Sequence, residues 1–275
     1  MGFYWIASYP RSGSTWLRVL LANYQQRAGR PVDINDLQAT NIVDRELFDE
    51  YLGFESIDLT PEQTNYYRPL VLERIVARQP SPVFFKIHAA FERRDDKTAI
   101  YDSAATLGAV YVIRNPLDVA VSFAHHAALP IDAVIERMGN ASAALGDGSA
   151  ELLPETLGSW SGHVQSWLDQ TDVRVHAIRY EDLIRQPVET FSAVLEFTGL
   201  GVDADRVRRA VAFSEFGELK AQETQRGFVE KPPNVQPFFR SGRVGEGRDV
   251  LSAAQMQRLI TQQGAVMRRF DYETH

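Results

Sequence analysis

The sequence predicts an α/β fold with a central parallel sheet flanked by helices. Four short apolar runs read as buried strands: FYWIA (3–7), SPVFFKIH (81–88), LGAVYVIR (107–114) and VRVHAIRY (173–180). Segments with helical spacing of apolar residues lie between and after them, and strands that alternate with helices build a parallel sheet covered on both faces. Arg11, His88, Arg114 and Tyr180 all fall at the carboxyl ends of these runs, the edge at which ligands sit in such sheets.

The first run is followed by a turn rich in Pro, Gly and Ser, and residues 16–24 then take helical spacing. Residues 28–60 are less regular. A helical segment over 61–79 leads into the second strand, and the third strand passes at Asn115-Pro116 into a helix over 116–127. Residues 128–158 are again irregular, with GNASAALGDGSAELLP (139–154) the most loop-like stretch of the chain. The two irregular regions are natural places for lids or for the walls of an acceptor pocket. Helical character returns over 157–169, then after the fourth strand over 187–199, 203–213 and 252–270.

A chain of 275 residues with 44% hydrophobic content can bury a sizeable core. No linker separates two independently patterned halves and no internal repeat is visible, so residues 1–275 read as one domain. The chain has no cysteine, which excludes disulfides and thiolate chemistry. Its first residues carry no basic stretch, and the opening apolar run is too short for a signal peptide or membrane anchor, which points to a soluble, cytoplasmic protein with no membrane partner. A net charge of -7 argues against a nucleic-acid partner. An anion bound here must be held by a few local cations.

IASYPRSGSTW (6–16) is arranged as strand, loop and helix, so that loop amides and the helix N-terminus face one spot while Gly13 lets the chain come close. Against the nucleotide-binding pattern G-x-x-x-x-G-K-[ST], Ser8 stands at the first glycine, Gly13 at the second and Thr15 at the hydroxyl, but Ser14 occupies the lysine position. Arg11 supplies the cation instead. In the second strand Lys86 and His88 lie two apart and share a side. A lysine there can stabilise charge on a leaving oxygen, and a neutral imidazole can take a proton from a hydroxyl. Arg114 offers a forked donor set suited to a phosphate, with Ser122 two turns into the following helix.

Five stretches together resemble the cytosolic-type sulfotransferases, in the family's order. SYPRSGSTW (8–16) is similar to the family loop Y-P-K-S-G-T-T-W, FFKIH (84–88) to its K-T-H strand, and VYVIRNPLDVAVSF (110–123) to Y-x-x-R-N-P-x-D-x-x-x-S. RYEDL (179–183) and FFRSGRVGEG (238–247) continue the match, the latter resembling F-x-R-K-G-x-x-G-D-W. The resemblance implies a three-layer P-loop-type fold and the donor 3′-phosphoadenosine 5′-phosphosulfate (PAPS), with 3′-phosphoadenosine 5′-phosphate (PAP) as product. It implies that Arg11, Ser12, Gly13, Ser14 and Thr15 wrap the 5′-phosphosulfate, and that Arg114, Ser122, Arg240, Ser241 and Gly242 form the 3′-phosphate subsite. Trp16 and Phe216 would sandwich the adenine, Phe216 being placed by SEFGELK (214–220), with Tyr180 near the exocyclic amine. SGHVQSWLDQ (161–170) resembles antibiotic-tailoring and other bacterial members, which favours a small-molecule hydroxylated acceptor.

The chain also departs from the family. Arg11 replaces the loop lysine, Ser241 replaces a lysine of the 3′-phosphate motif, and Glu246-Gly247 stands where Asp-Trp is common. The dimer motif of the animal enzymes is not recognisable, so a homodimer is neither required nor excluded. The expected reaction is in-line sulfuryl transfer to a hydroxyl, with His88 as base, Lys86 and Arg11 easing charge on the departing phosphate, and no metal in the scheme. The alternatives are a P-loop kinase with a degenerate loop, which would want a lysine at position 14 and a strand-end Asp for magnesium, and a non-catalytic nucleotide-binding module, against which His88 speaks.

Overall fold

A computed structural model describes residues 2–26, 29–37, 40–79, 82–102, 104–146, 151–232 and 237–272. In chain order its elements are β1 (Phe3–Ala7), α1 (Ser14–Gln25), β2 (Thr40–Asn41), α2 (Arg45–Leu52), α3 (Pro61–Ala77), β3 (Val83–Ile87), β4 (Thr106–Ile113), α4 (Pro116–Ala127), α5 (Ile131–Gly139) and β5 (Ala144–Leu145). They continue as β6 (Glu155–Thr156), α6 (Trp160–Leu168), β7 (Val175–Arg179), α7 (Tyr180–Arg185), α8 (Pro187–Thr198), α9 (Ala204–Phe213), α10 (Phe216–Arg226), α11 (Glu246–Val250) and α12 (Ala253–Arg269).

The four expected strands form a sheet with one short addition, in the order β2-β3-β1-β4-β7. β1 pairs in parallel with β3, Phe3 opposite Val83 through Ala7 opposite Ile87, and in parallel with β4 on its other edge. All five residues of β1 are buried, as are the last six of β4, the signature of strands covered on both faces. This is the central parallel sheet flanked by helices that the alternation predicts.

Helix ends follow local chemistry. Asn115 caps α4 by accepting the Leu117 N–H at 2.9 Å, and Pro116 starts that helix, as Asn-Pro foretells. Thr60 and Gln63 form a capping box at the head of α3, and Ser252 and Gln255 repeat it at α12. The irregular regions hold more order than their patterning suggests. Residues 28–60 contain β2 and the Asp44-capped α2, while residues 128–158 contain α5 and the antiparallel β5–β6 pair. Residues 147–150, inside the most loop-like stretch, lie outside the described residues. Tyr180, read as the end of a strand, is instead the first residue of α7, because the strand stops at Arg179.

The chain divides into two compact units. One comprises Met1–Tyr9, Ala39–Tyr111 and Asn140–Ala177; the other comprises Pro10–Gln38, Val112–Gly139 and Ile178–His275. The first is organised on the strands and is dense in aromatic contacts: Phe3 against Trp5 at 5.0 Å, Phe3 against Phe85 at 4.9 Å and Phe91 against Trp167 at 5.2 Å between ring centroids. The second is mainly helical. One of its cores gathers Val19 of α1, Val32, Ile34, Leu219 of α10, Phe228 and Phe239, with Trp16, Phe216 and Phe238 packed against it.

Candidate active site

The loop that enters α1 lies in the second unit, and its backbone is shaped for close approach. Arg11 has φ 67° and Gly13 φ 109°, both left-handed. A Cβ on Gly13 would lie 2.6 Å from the Tyr180 ring, so only glycine fits there. Gly13 stands at the N-cap of α1 with no side-chain cap, and the first turn carries no acidic residue, so protein side chains do not cap the amides at that helix end. Ser12 Oγ is fully buried and has no hydrogen-bond partner. A buried hydroxyl beside an uncapped helix start is a place prepared for an acceptor atom.

Arginines surround this loop. Arg114 donates from Nη1 to the Arg11 carbonyl at 3.2 Å and from Nη2 to the Arg243 carbonyl at 3.0 Å, and its guanidinium lies 4.4 Å from the Tyr180 ring centre. Its Nε is buried without a partner. Arg11 donates from Nε to Ser122 Oγ at 3.2 Å and from Nη2 to the Phe238 carbonyl at 3.2 Å, and stacks over the Phe238 ring at 4.2 Å. Burial, then the nearby charges of Arg114 and Arg240, lower the Arg11 guanidinium to about 10. Three cations that repel one another here set a strong preference for an anion.

The remaining donor-site residues of the sequence reading fall in the same unit. Trp16 donates its indole N–H to the Ser214 carbonyl at 2.8 Å and meets Tyr180 edge-on at 5.9 Å. Phe216 opens α10, and a Cβ on Gly242, at φ 63°, would lie 2.5 Å from the Phe216 ring. Arg240 makes a two-pronged pair with Glu246, Nη1 to Oε1 at 2.6 Å and Nη2 to Oε2 at 2.5 Å. Arg11 and Ser122, assigned to different phosphates from the sequence, are directly bonded.

Lys86 and His88 belong to the first unit. Lys86 is the fourth residue of β3, and His88 follows one residue beyond its end. His88 Nδ1 lies 2.8 Å from the Ser8 carbonyl and 3.3 Å from Ser8 Oγ. A carbonyl only accepts, so Nδ1 carries the proton and Nε2 is the basic nitrogen. The backbone around the ring is held as well. Glu155 Oε1 accepts the N–H groups of His88 at 3.2 Å and Ala89 at 3.1 Å, and His163 Nε2 donates to the His88 carbonyl at 3.0 Å. Burial raises the Glu155 carboxyl, while Arg68, the two amides and Lys86 favour its charged form. Burial pushes His163 down to about 4, so it is neutral, accepting the Tyr111 hydroxyl on Nδ1 at 2.8 Å.

A family profile described as "Sulfotransferase domain" matches residues 4–270. The chain belongs to the sulfotransferase family. Human sulfotransferase 1C2 is 27% identical over 266 residues, which span 92% of this chain and 79% of the human protein; rat sulfotransferase 1C2 is 26% identical over 267 residues with the same coverage. Mouse sulfotransferase SULT7A1 complexed with PAP shares the fold at TM-score 0.61 and 20% identity, over 98% of this chain and 86% of the mouse protein. Retinol dehydratase in complex with retinol and PAP does so at 0.62 and 20%, over 96% and 81%.

Sulfotransferases take their sulfuryl group from PAPS. The residues present in this sulfotransferase suit such a polyanion: the start of α1 has no side-chain cap, the Ser12 hydroxyl and Arg114 Nε are without a partner, and Arg11 feels the charges of Arg114 and Arg240. Among the described residues no cluster of His, Cys, Asp or Glu could hold a metal ion, and no helix is long and apolar enough to cross a membrane. Asp118, in the first turn of α4, is occupied differently from a magnesium ligand: its two oxygens accept the N–H groups of Gly245 at 2.8 Å and Gly247 at 2.7 Å.

The sequence reading missed Glu155, His163, Asp118 and Glu181. Each is a buried group whose partners are mostly backbone amides or carbonyls, as when Glu181 accepts the Asn115 N–H at 2.9 Å and the Tyr272 hydroxyl at 2.9 Å. Asp118 stood in the quoted R-N-P-x-D motif, a signal for its importance but not for its partners. Glu155 stands in the irregular region 128–158, just past its most loop-like stretch, with no signal of burial at all.

Proposed function

We propose that this sulfotransferase transfers the sulfuryl group of PAPS to a hydroxyl of a small-molecule acceptor, with His88 as the general base. The convergence of Arg11, Arg114 and Arg240 on the glycine loop carries this reading. PAPS supplies an activated sulfuryl group, and solved relatives in this fold hold its product PAP. Arg11, the buried Ser12 hydroxyl, Ser14, Thr15 and the α1 amides hold the 5′ end; Arg114, Ser122, Arg240, Ser241 and Gly242 hold the 3′-phosphate; Trp16, Phe216 and Tyr180 hold the base.

His88 Nε2 takes the acceptor's proton as its oxygen bonds to sulfur and the sulfur–oxygen bond to the 5′-phosphate breaks. Nδ1–H to the Ser8 carbonyl fixes the tautomer and supports the charge the ring gains. Lys86 and Arg11 stabilise charge on the departing phosphate, so most of the catalysis is positioning and electrostatics. The setting is cytoplasmic.

Two measurements test the reading. Calorimetric titration should show PAP binding much more tightly than AMP, which leaves the 3′-phosphate donors unpaired. Radiolabelled PAPS incubated with a panel of hydroxylated compounds should label one acceptor class. Equal affinity for PAP and AMP, or magnesium-dependent preference for ATP, overturns it.

A further inference from the structure

Glu246 departs from the family's usual Asp and sits against the arginine assigned to the 3′-phosphate. Its carboxylate grips Arg240 end-on at 2.6 and 2.5 Å, the two-pronged geometry with which an arginine also holds a phosphate. The Glu246 side chain is 6% exposed and that of Arg240 29%. Burial opposes ionisation of Glu246, but the bond from Arg240, its charge, the Ser241 hydroxyl and Arg243 together hold the carboxyl below its ordinary value, so it is an anion at neutral pH.

Other buried carboxylates of this unit are tied to the backbone. Asp118 accepts two glycine amides, Glu223 accepts the amides of Phe238 at 2.7 Å and Phe239 at 2.9 Å, and Glu181 accepts the Asn115 amide. The described bonds to Glu246 come from side chains of its own motif, Arg240 and Ser241. Ser241 stands where a lysine is usual, so the motif has lost one cation while keeping an acid. Gly247 has a separate cause: a Cβ there would lie 2.5 Å from the Leu117 carbonyl carbon, which leaves no room for the tryptophan common at that position.

We propose that Glu246 is a resident counterion of the 3′-phosphate subsite, competing with the donor's 3′-phosphate for Arg240 and thereby limiting how strongly the protein favours 3′-phosphorylated nucleotides. This rests on the reading of Arg240 as a 3′-phosphate ligand. A 3′-phosphate arriving beside this carboxylate must share or take its arginine and meets a like charge in a half-buried place. Both effects weaken PAP without touching nucleotides that lack the 3′-phosphate.

The test is calorimetric titration of PAP and AMP, which differ only by the 3′-phosphate, against the parent, Glu246→Gln, Glu246→Asp and Arg240→Ala, with a thermal melt of each. Glu246→Gln keeps the length and one acceptor oxygen and removes the charge, so PAP should bind about tenfold tighter while AMP stays within about twofold. Glu246→Asp keeps the charge but withdraws it by one methylene, and should tighten PAP by a smaller factor, about two- to threefold; it decides the matter if Glu246→Gln does not fold. Weaker or unchanged PAP binding in the folded variants overturns the proposal, weaker binding making Glu246 the support of Arg240 instead of its competitor. Failure of the underlying reading looks different: PAP and AMP would then bind the parent and Arg240→Ala with equal affinity.

Discussion

The glycine loop of the second unit and the end of β3 in the first treat buried polarity in opposite ways. At the loop, polar groups are left unsatisfied: Ser12 Oγ and Arg114 Nε lack partners, α1 has no side-chain cap, and Arg11 is driven down to about 10 by burial and by its fellow arginines. At the end of β3 the partners are in place before any ligand arrives. The His88 amide, ring Nδ1 and carbonyl are each bonded, and the next residue is held through its amide by Glu155 and through its carbonyl by the Trp167 indole at 2.9 Å. Leaving buried groups unpaired is tolerable where a polyanion completes them, whereas a base must be aimed by bonds that persist throughout the reaction.

The largest expected effect breaks this comparison at its over-determined side. Asparagine at position 88 can still donate to the Ser8 carbonyl, but it has no basic nitrogen. His88→Asn should therefore lower single-turnover transfer from PAPS by about 10²- to 10⁴-fold while PAP affinity changes little. A folded variant that transfers at the parent rate removes His88 as the base and makes His125 or His126, in the last turn of α4, the next candidate.

A smaller effect is expected at the under-satisfied side. Arg11→Ala should slow transfer by about 10- to 100-fold and weaken PAP by less, since PAP lacks the sulfuryl group and the loop amides remain. The bond from Arg11 to Ser122 sharpens the expectation, because the side chain reaches the group assigned to the other phosphate. Normal turnover with poor PAP affinity would make Arg11 an anchor of the nucleotide only.

The contrast also explains what was legible in the sequence. Loops that bind phosphate through backbone and cations need glycine, serine and arginine at fixed spacing, so candidate donor residues stand out in IASYPRSGSTW and VIRNPLDVAVSF. The four strands were legible for a similar reason, since buried parallel strands are continuous apolar runs. What holds His88 was not, because Glu155 and His163 act through backbone amides and carbonyls of residues about 70 positions away in the chain. A carboxylate that bonds to main chain leaves no complementary side chain to be noticed. The short helices α2 and α5 escaped because their order comes from tertiary packing and caps such as Asp44, not from a long apolar period.

The smallest effect sharpens the comparison by titrating the over-determined side. His163 is fully buried, with Tyr111 on one ring nitrogen, the His88 carbonyl on the other and the Tyr9 ring edge-on at 5.5 Å, and this burial disfavours a charged ring. Its folded value of about 4 lies below the ordinary 6.5, so between those values the unfolded chain binds the extra proton and stability falls as pH falls. From pH 7 to pH 5 this amounts to about 2 kcal/mol, or roughly 4–8 °C of melting temperature. Glu155 and Glu181, both raised by burial, act in the opposite sense, stabilising most at acid pH and less as pH rises through their folded values, but they are common to parent and variant. His163→Gln can accept from Tyr111 and donate to the His88 carbonyl without titrating. Melts of both proteins at pH 7 and pH 5 should show the variant losing several degrees less than the parent, and identical losses would mean that His163 is not what makes the neighbourhood of His88 acid-sensitive.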